Sequence, residues 1–108
     1  MGKSEVLSQA TTLTDLIEYQ AGTVVSRTLV KKNTGTVTLF AFHEGEGLSE
    51  HTTPFDALLL VADGHAEITI SGAAQDVRAG QIVLLPADEP HAVKAVSRLK
   101  MLLVMLRS

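Results

Sequence analysis

The chain has no cysteine and no tryptophan, and one tyrosine with three phenylalanines is the whole aromatic complement of its 108 residues. Without cysteine there can be neither a disulfide framework nor a thiolate metal site, so any bound metal must take imidazole or oxygen ligands. The same absence fits the reducing cytoplasm, which is the expected compartment. With aromatics at 4%, the core has to be built from Val, Leu, Ile and Ala. Charge of neither sign accumulates. Nine Lys and Arg against twelve Asp and Glu leave a net charge of -3, and the doublet Lys31-Lys32 reads as a solvated turn. No nucleic-acid surface is expected from that balance. No apolar run approaches the ~20 residues needed to cross a bilayer, and Met1-Gly2-Lys3-Ser4 leads into polar residues rather than a signal-peptide core. A soluble protein without a membrane partner follows. A P-loop, a dinucleotide-binding glycine fingerprint and a Gly-x-Ser-x-Gly nucleophile elbow are also missing, which removes three large enzyme classes.

What remains is β-rich. Residues 1–11 are polar and read as a flexible arm, leaving 12–108 as one domain, since a chain of this length supports a single core. Thr12 to Ile17 suits a short strand or a helical turn. From there Thr23–Val30 and Thr36–Phe42 flank the turn signal Lys31-Lys32-Asn33-Thr34-Gly35 and predict a hairpin. Glu44 to Glu50 reads as a polar loop ending at His51. Ala57–Val61 and Gln81–Leu85 are uniformly apolar and read as buried strands, while His65–Ile70 alternates with period two. His91–Val96 and Leu99–Leu106 complete the set. About eight short strands separated by glycine-containing turns predict a sandwich or barrel. The run Leu99–Leu106, apolar at nearly every position, reads either as a strand buried on both faces or as a subunit contact; a mean hydropathy of +0.23 with few charges favours the contact, and a homodimer is expected.

Two segments share a plan in which a histidine precedes or opens a strand. The first is Gly45, His51-Thr52-Thr53-Pro54, Ala57 and Gly64. The second is Gly80, Pro86, Asp88 and His91. Their spacing resembles the two motifs of the cupin superfamily, in particular the compact bacterial conserved-barrel type. The second family motif runs Gly, five residues, Pro, one residue, Gly, two residues, His, three residues, Asn. Gly80, Pro86 and His91 match it, with Asp88 at the second Gly and Ala95 at the Asn. The first runs Gly, five residues, His-x-His, three or four residues, Glu, six residues, Gly. Gly45, His51 and Gly64 match, with Thr53 at the second His and Ala57 at the Glu.

This resemblance implies an all-β double-stranded β-helix, a jelly-roll barrel of two facing antiparallel sheets. It also implies a polar spot in the lumen. In the family, the motif histidines and glutamate hold one divalent ion, Zn, Fe, Ni or Mn. Here His51 and His91 carry over as metal ligands, whereas Thr53 and Ala57 do not supply the other two. Ligand-binding residues are therefore expected to be His51, Thr53, Leu59, Val61, His91 and Val93, with Val83 and Leu85 completing the wall. Two functions are open. One is a small-molecule-binding module with an incomplete or weak metal site. The other is a divalent-metal-dependent enzyme of the dioxygenase or isomerase type that uses His51, His91 and a non-standard ligand. The sensor role of cupins fused to transcription regulators is a third reading, and no DNA-binding segment accompanies it.

Overall fold

A computed structural model describes residues 7–107. Part of the arm expected over residues 1–11 thus lies outside the described residues. Of the remainder, Leu7 packs against the outer apolar cluster. Among the described residues nine strands follow the 3₁₀ turn Leu13–Leu16. They are β1 (Val24–Lys32), β2 (Gly35–Phe42), β3 (Gly47–His51), β4 (Asp56–Asp63), β5 (His65–Ile70), β6 (Ala73–Arg78), β7 (Ile82–Leu85), β8 (His91–Ala95) and β9 (Leu99–Leu106). The order is β1-β2-β9-β4-β7 in one sheet and β3-β8-β5-β6 in the other, and every pairing is antiparallel. Two such sheets face to face are the expected jelly roll. Among the described residues no helix is long and apolar enough to cross a membrane.

Alternation along each strand divides the side chains between lumen and exterior. Ala57, Leu59 and Val61 of β4, Leu99 and Met101 of β9, Ile68 of β5 and Val93 of β8 turn inward into one core. Each fully buried Leu, Ile or Phe among them contributes roughly 2 kcal/mol of transfer free energy. Phe42, Leu59, Ile68 and Leu99 have no exposed surface, so the deep end of the barrel is solid apolar packing and not a channel.

A second, smaller core lies outside the five-stranded sheet. There Ile17, Leu29, Leu39 and Ala41 are buried beneath the segment carrying Leu13, Leu16 and Tyr19. Polar contacts pin this strap. Arg27 donates to the Leu16 carbonyl at 2.8 Å, and Lys100 donates to Thr14 O at 2.6 Å. The Tyr19 hydroxyl donates to Asp63 at 2.5 Å, and burial with that carboxylate keeps the phenol protonated well above its ordinary range.

Two sequence expectations change. Gly47–His51, read as part of a loop, forms edge strand β3 on β8. Its polar residues sit on the solvent side of an edge, where a strand can be formed without an apolar pattern. Gln81–Leu85, read as a buried strand, is buried on one face only. Leu85 and Val83 turn inward, while Ile82 and Leu84 are 61% and 50% exposed.

Candidate functional site

The site starts from a register irregularity. Gly47 and Leu48 pair with Lys94 and Val93, but His51 pairs with His91, so three steps on β3 match two on β8. Strict alternation would put Leu48 and His51 on opposite faces. The extra residue of a β-bulge brings both to the lumen side. On β8 no such device is needed, because His91, Val93 and Ala95 alternate inward and all three are buried.

His51 and His91 therefore meet across the two strands. Their Nε2 atoms are 3.2 Å apart and the rings lie edge to face, with centroids 4.4 Å apart. Each Nδ1 faces a backbone carbonyl, Ser49 O at 2.8 Å for His51 and Glu89 O at 3.2 Å for His91. A carbonyl only accepts, so both Nδ1 atoms carry the ring hydrogen and both Nε2 atoms present lone pairs. Two lone pairs facing each other at this distance repel unless a proton, a cation or a ligand donor lies between them. Burial and the neighbouring His51 ring disfavour a lone proton on His91, so a group held there needs a partner whose charge or donors offset that cost.

Space around the pair is limited. A cavity of about 20 Å³ is lined by Leu48, His51, Leu59, Leu85, His91, Val93, Met101 and Leu103. That volume holds one water-sized group. Outside it, an open groove of about 460 Å³ runs along Phe40, Gly47, Leu48, Ser49, His51, Leu103 and Met105. Leu48, His51 and Leu103 border both spaces and form the threshold between them. Of the expected ligand-binding residues, His51, His91, Leu59 and Val93 come together at the cavity. The Thr53 hydroxyl donates instead to Phe55 O at 3.1 Å, because β3 ends at His51 and strand alternation does not continue to position 53. Val61 sits in the closed core and lines neither space. Sequence reasoning misses Leu48, Met101 and Leu103. Their signal is the two-residue period of β3 and β9, legible only once those strands are paired with β8 and β4.

The family model for the cupin domain matches residues 38–105. This chain belongs to the cupin family. Solved structures agree. A conserved protein of unknown function from Streptococcus pyogenes is 34% identical with a TM-score of 0.89, over 94% of this chain and 89% of that one. A cupin superfamily protein from Desulfitobacterium hafniense is 31% identical with a TM-score of 0.89, over 93% and 92%. A cupin 2 conserved barrel domain protein from Leptotrichia buccalis is 38% identical with a TM-score of 0.85, over 88% of this chain but 46% of that longer one. No curated protein matches the chain.

The metal that the cupin fold implies can be tested against these residues. Two imidazole nitrogens bound to one zinc ion at a tetrahedral angle lie about 3.3 Å apart, so the spacing of the pair suits two ligands of one ion. The rest of the set does not. Ala57, at the glutamate position, is a buried methyl, and Thr53 is committed to Phe55. Among the described residues no group of three or more His, Asp or Glu side chains could hold a metal ion. Among the described residues, the motif positions thus supply two imidazoles where catalytic zinc sites have three protein ligands.

The bend between Pro86 and His91 explains another departure. Asp88 has φ 65°, a left-handed conformation, and its N–H donates to Thr53 O at 2.8 Å. Gly in the family motif suits that backbone, whereas a side chain is strained there. Asp88→Gly should raise stability by about 0.5 kcal/mol, seen as a higher denaturant midpoint with an unchanged slope.

His91 also makes stability depend on pH. It is 6% exposed, and burial, with the neighbouring His51 ring adding to it, holds its pKa below the ordinary imidazole value, despite the opposing bond to Glu89 O. Below about pH 6.5 the unfolded chain therefore binds a proton that the folded chain resists. Stability should be complete above that pH and fall as the pH drops through it. Thermal midpoints from pH 7.5 to 5 should show this slope in the wild type and lose most of it in His91→Gln.

Proposed function

We propose that this cupin is a small-molecule-binding module that takes a small organic acid at the His51–His91 pair, together with one proton. What supports the reading is the pair of opposed Nε2 lone pairs, each fixed by a backbone carbonyl at the other ring nitrogen. A proton captured between them turns the pair into a cation, and a carboxylate then completes the charge in an otherwise apolar setting. The acid's body lies in the groove along Phe40, Leu48, Leu103 and Met105, and its carboxylate reaches His51 at the threshold. Ser49 is the one hydroxyl residue along that groove, so a polyhydroxylated ligand would leave most of its hydroxyls unmatched. A cysteine-free chain with this activity suits the cytoplasm.

A second reading, a metal-dependent enzyme of the dioxygenase or isomerase type, is favoured by the 3.2 Å spacing of the two nitrogens alone. One pair of measurements separates the two. Titration calorimetry with benzoate and hexanoate, in buffers of different ionisation enthalpy near pH 7, should show uptake of about one proton per acid bound, with affinity falling as pH rises. His51→Ala and His91→Ala should each abolish both. Elemental analysis after incubation with zinc, iron, nickel and manganese should find no stoichiometric metal. Stoichiometric metal lost in both variants would instead establish the enzyme reading.

A further inference from the structure

Apart from the two imidazoles, the cavity at His51 and His91 is walled by leucine and valine side chains, with one exception. Met101 lines it too, and its thioether sulfur is the third side-chain donor atom there. Met101 is 1% exposed and belongs to the inward face of β9. The chain has three methionines, one of them Met1. The other two fall at this one place in the fold, Met101 in the cavity and Met105 along the groove outside it. Strand parity sets them on the same face of β9, four residues and so about 13 Å apart. No carboxylate lines either space.

That donor set decides which ion fits. Zinc, iron, nickel and manganese call for further imidazole or oxygen ligands, and a cavity of about 20 Å³ has no room for the waters that would stand in for them. Two imidazoles and a thioether form a soft set, which selects copper(I). This ion is satisfied by two or three ligands and needs no water. It also carries a single charge. The cost of burying an ion rises with the square of its charge, so an apolar wall without a carboxylate tolerates copper(I) far better than a divalent ion. The two Nε2 lone pairs face each other across 3.2 Å, a span that suits two nitrogens bound to one ion.

We propose that the cavity is a copper(I) site whose ligands are Nε2 of His51, Nε2 of His91 and the sulfur of Met101. The departures at Thr53 and Ala57 then change the site's preference, from a divalent ion with an oxygen ligand to a soft monovalent one. Met105 offers an arriving ion a thioether on the groove side, before the threshold formed by Leu48, His51 and Leu103. With no cysteine in the chain, no thiolate competes for the ion elsewhere. Copper(I) binding does not depend on acid binding. Both use the same two nitrogens, so the ion and the protonated acid site exclude each other.

Anaerobic titration of the metal-free protein with the acetonitrile complex of copper(I) tests the proposal. One ion per chain should be taken up, and excess zinc should not displace it. In competition with bathocuproine disulfonate, His51→Ala and His91→Ala should each weaken copper(I) binding at least a hundredfold, and Met101→Leu at least tenfold. Leucine is close to methionine in volume, so far-UV circular dichroism of Met101→Leu should stay native. X-ray absorption at the copper edge should find two nitrogen neighbours and one sulfur in the wild type, and nitrogen without sulfur in Met101→Leu. A wild type that takes up no copper(I) would overturn the proposal, as would bound copper without a sulfur neighbour or ready displacement by zinc. A methionine that merely fills a gap would let Met101→Leu bind as tightly as the wild type, which would overturn it too. Should that variant unfold, the wild-type absorption spectrum decides alone. Benzoate binding in the absence of copper is read separately, so either reading can fail while the other stands.

Discussion

Replacing Gly64 by alanine should cost about 4 kcal/mol, enough to lower the thermal midpoint of a domain this size by about 20 °C. Gly64 joins β4 to β5 with φ 86°, a conformation that L side chains rarely adopt. A Cβ there would also lie far inside contact distance of the Arg98 carbonyl oxygen and close to the Ser97 hydroxyl. Neither neighbour can retreat cheaply. The Gly64 carbonyl accepts from Ala79 N at 3.2 Å, and His65 N donates to Ser97 Oγ at 3.1 Å. Two chain reversals are therefore locked against each other at this residue. Gly72 provides the internal comparison, with φ 84° but open space where a Cβ would sit. Gly72→Ala should lose only about 1 kcal/mol, the backbone cost alone. Chemical denaturation of both variants measures the difference. Equal losses would mean that the close approach to Arg98 contributes nothing.

Gly64 and its neighbours also show why so much of the fold is legible in the sequence. A glycine at a tight turn, followed by a strand alternating with period two, is a local signal, and here it marks the true junction of β4 and β5. The inward set Ala57, Leu59 and Val61 follows from parity alone, because β4 runs without a bulge as far as Val61. The matched spacing of Gly45, His51 and Gly64 with Gly80, Pro86 and His91 is enough to bring two histidines forty residues apart into one cavity. What stays hidden depends on pairing. Nothing in Gly47-Leu48-Ser49-Glu50-His51 signals a strand until β8 lies beside it, and the bulge that re-aims His51 exists only in that pair. The inward direction expected for Thr53 fails for the same reason, since strand parity has no meaning past the end of β3. His65 is a similar case. Nothing local to it signals the 2.9 Å contact with Asp76 that the β5–β6 pairing creates. In β7 the difficulty is different. A uniformly apolar strand is consistent with burial on both faces or with one face awaiting a partner, and only the tertiary structure distinguishes them.

Restoring the missing carboxylate should convert the site into a metal centre. Ala57 is 3% exposed and shares the inward face of β4 with Leu59, which lines the cavity beside both histidines. In Ala57→Glu a carboxyl group is driven into an apolar lumen with no described donor waiting for it. The variant should therefore lose about 3 kcal/mol of stability in a metal-free buffer, through overpacking and desolvation. Zinc should reverse much of that loss. With His51, His91 and a carboxylate, three ligands of the usual types are in place, and a hundredfold excess of zinc over its dissociation constant returns roughly 2.7 kcal/mol. Thermal midpoints of wild type, Ala57→Glu and Ala57→Gln, each with and without zinc, test this directly. Only the glutamate variant should gain strongly, since glutamine adds bulk and polarity without the charge a cation needs. A wild type that gained as much as Ala57→Glu would show that two imidazoles already suffice, which would favour the metal-dependent enzyme. A glutamate variant that gained nothing would show that position 57 and the histidine pair do not converge on one point.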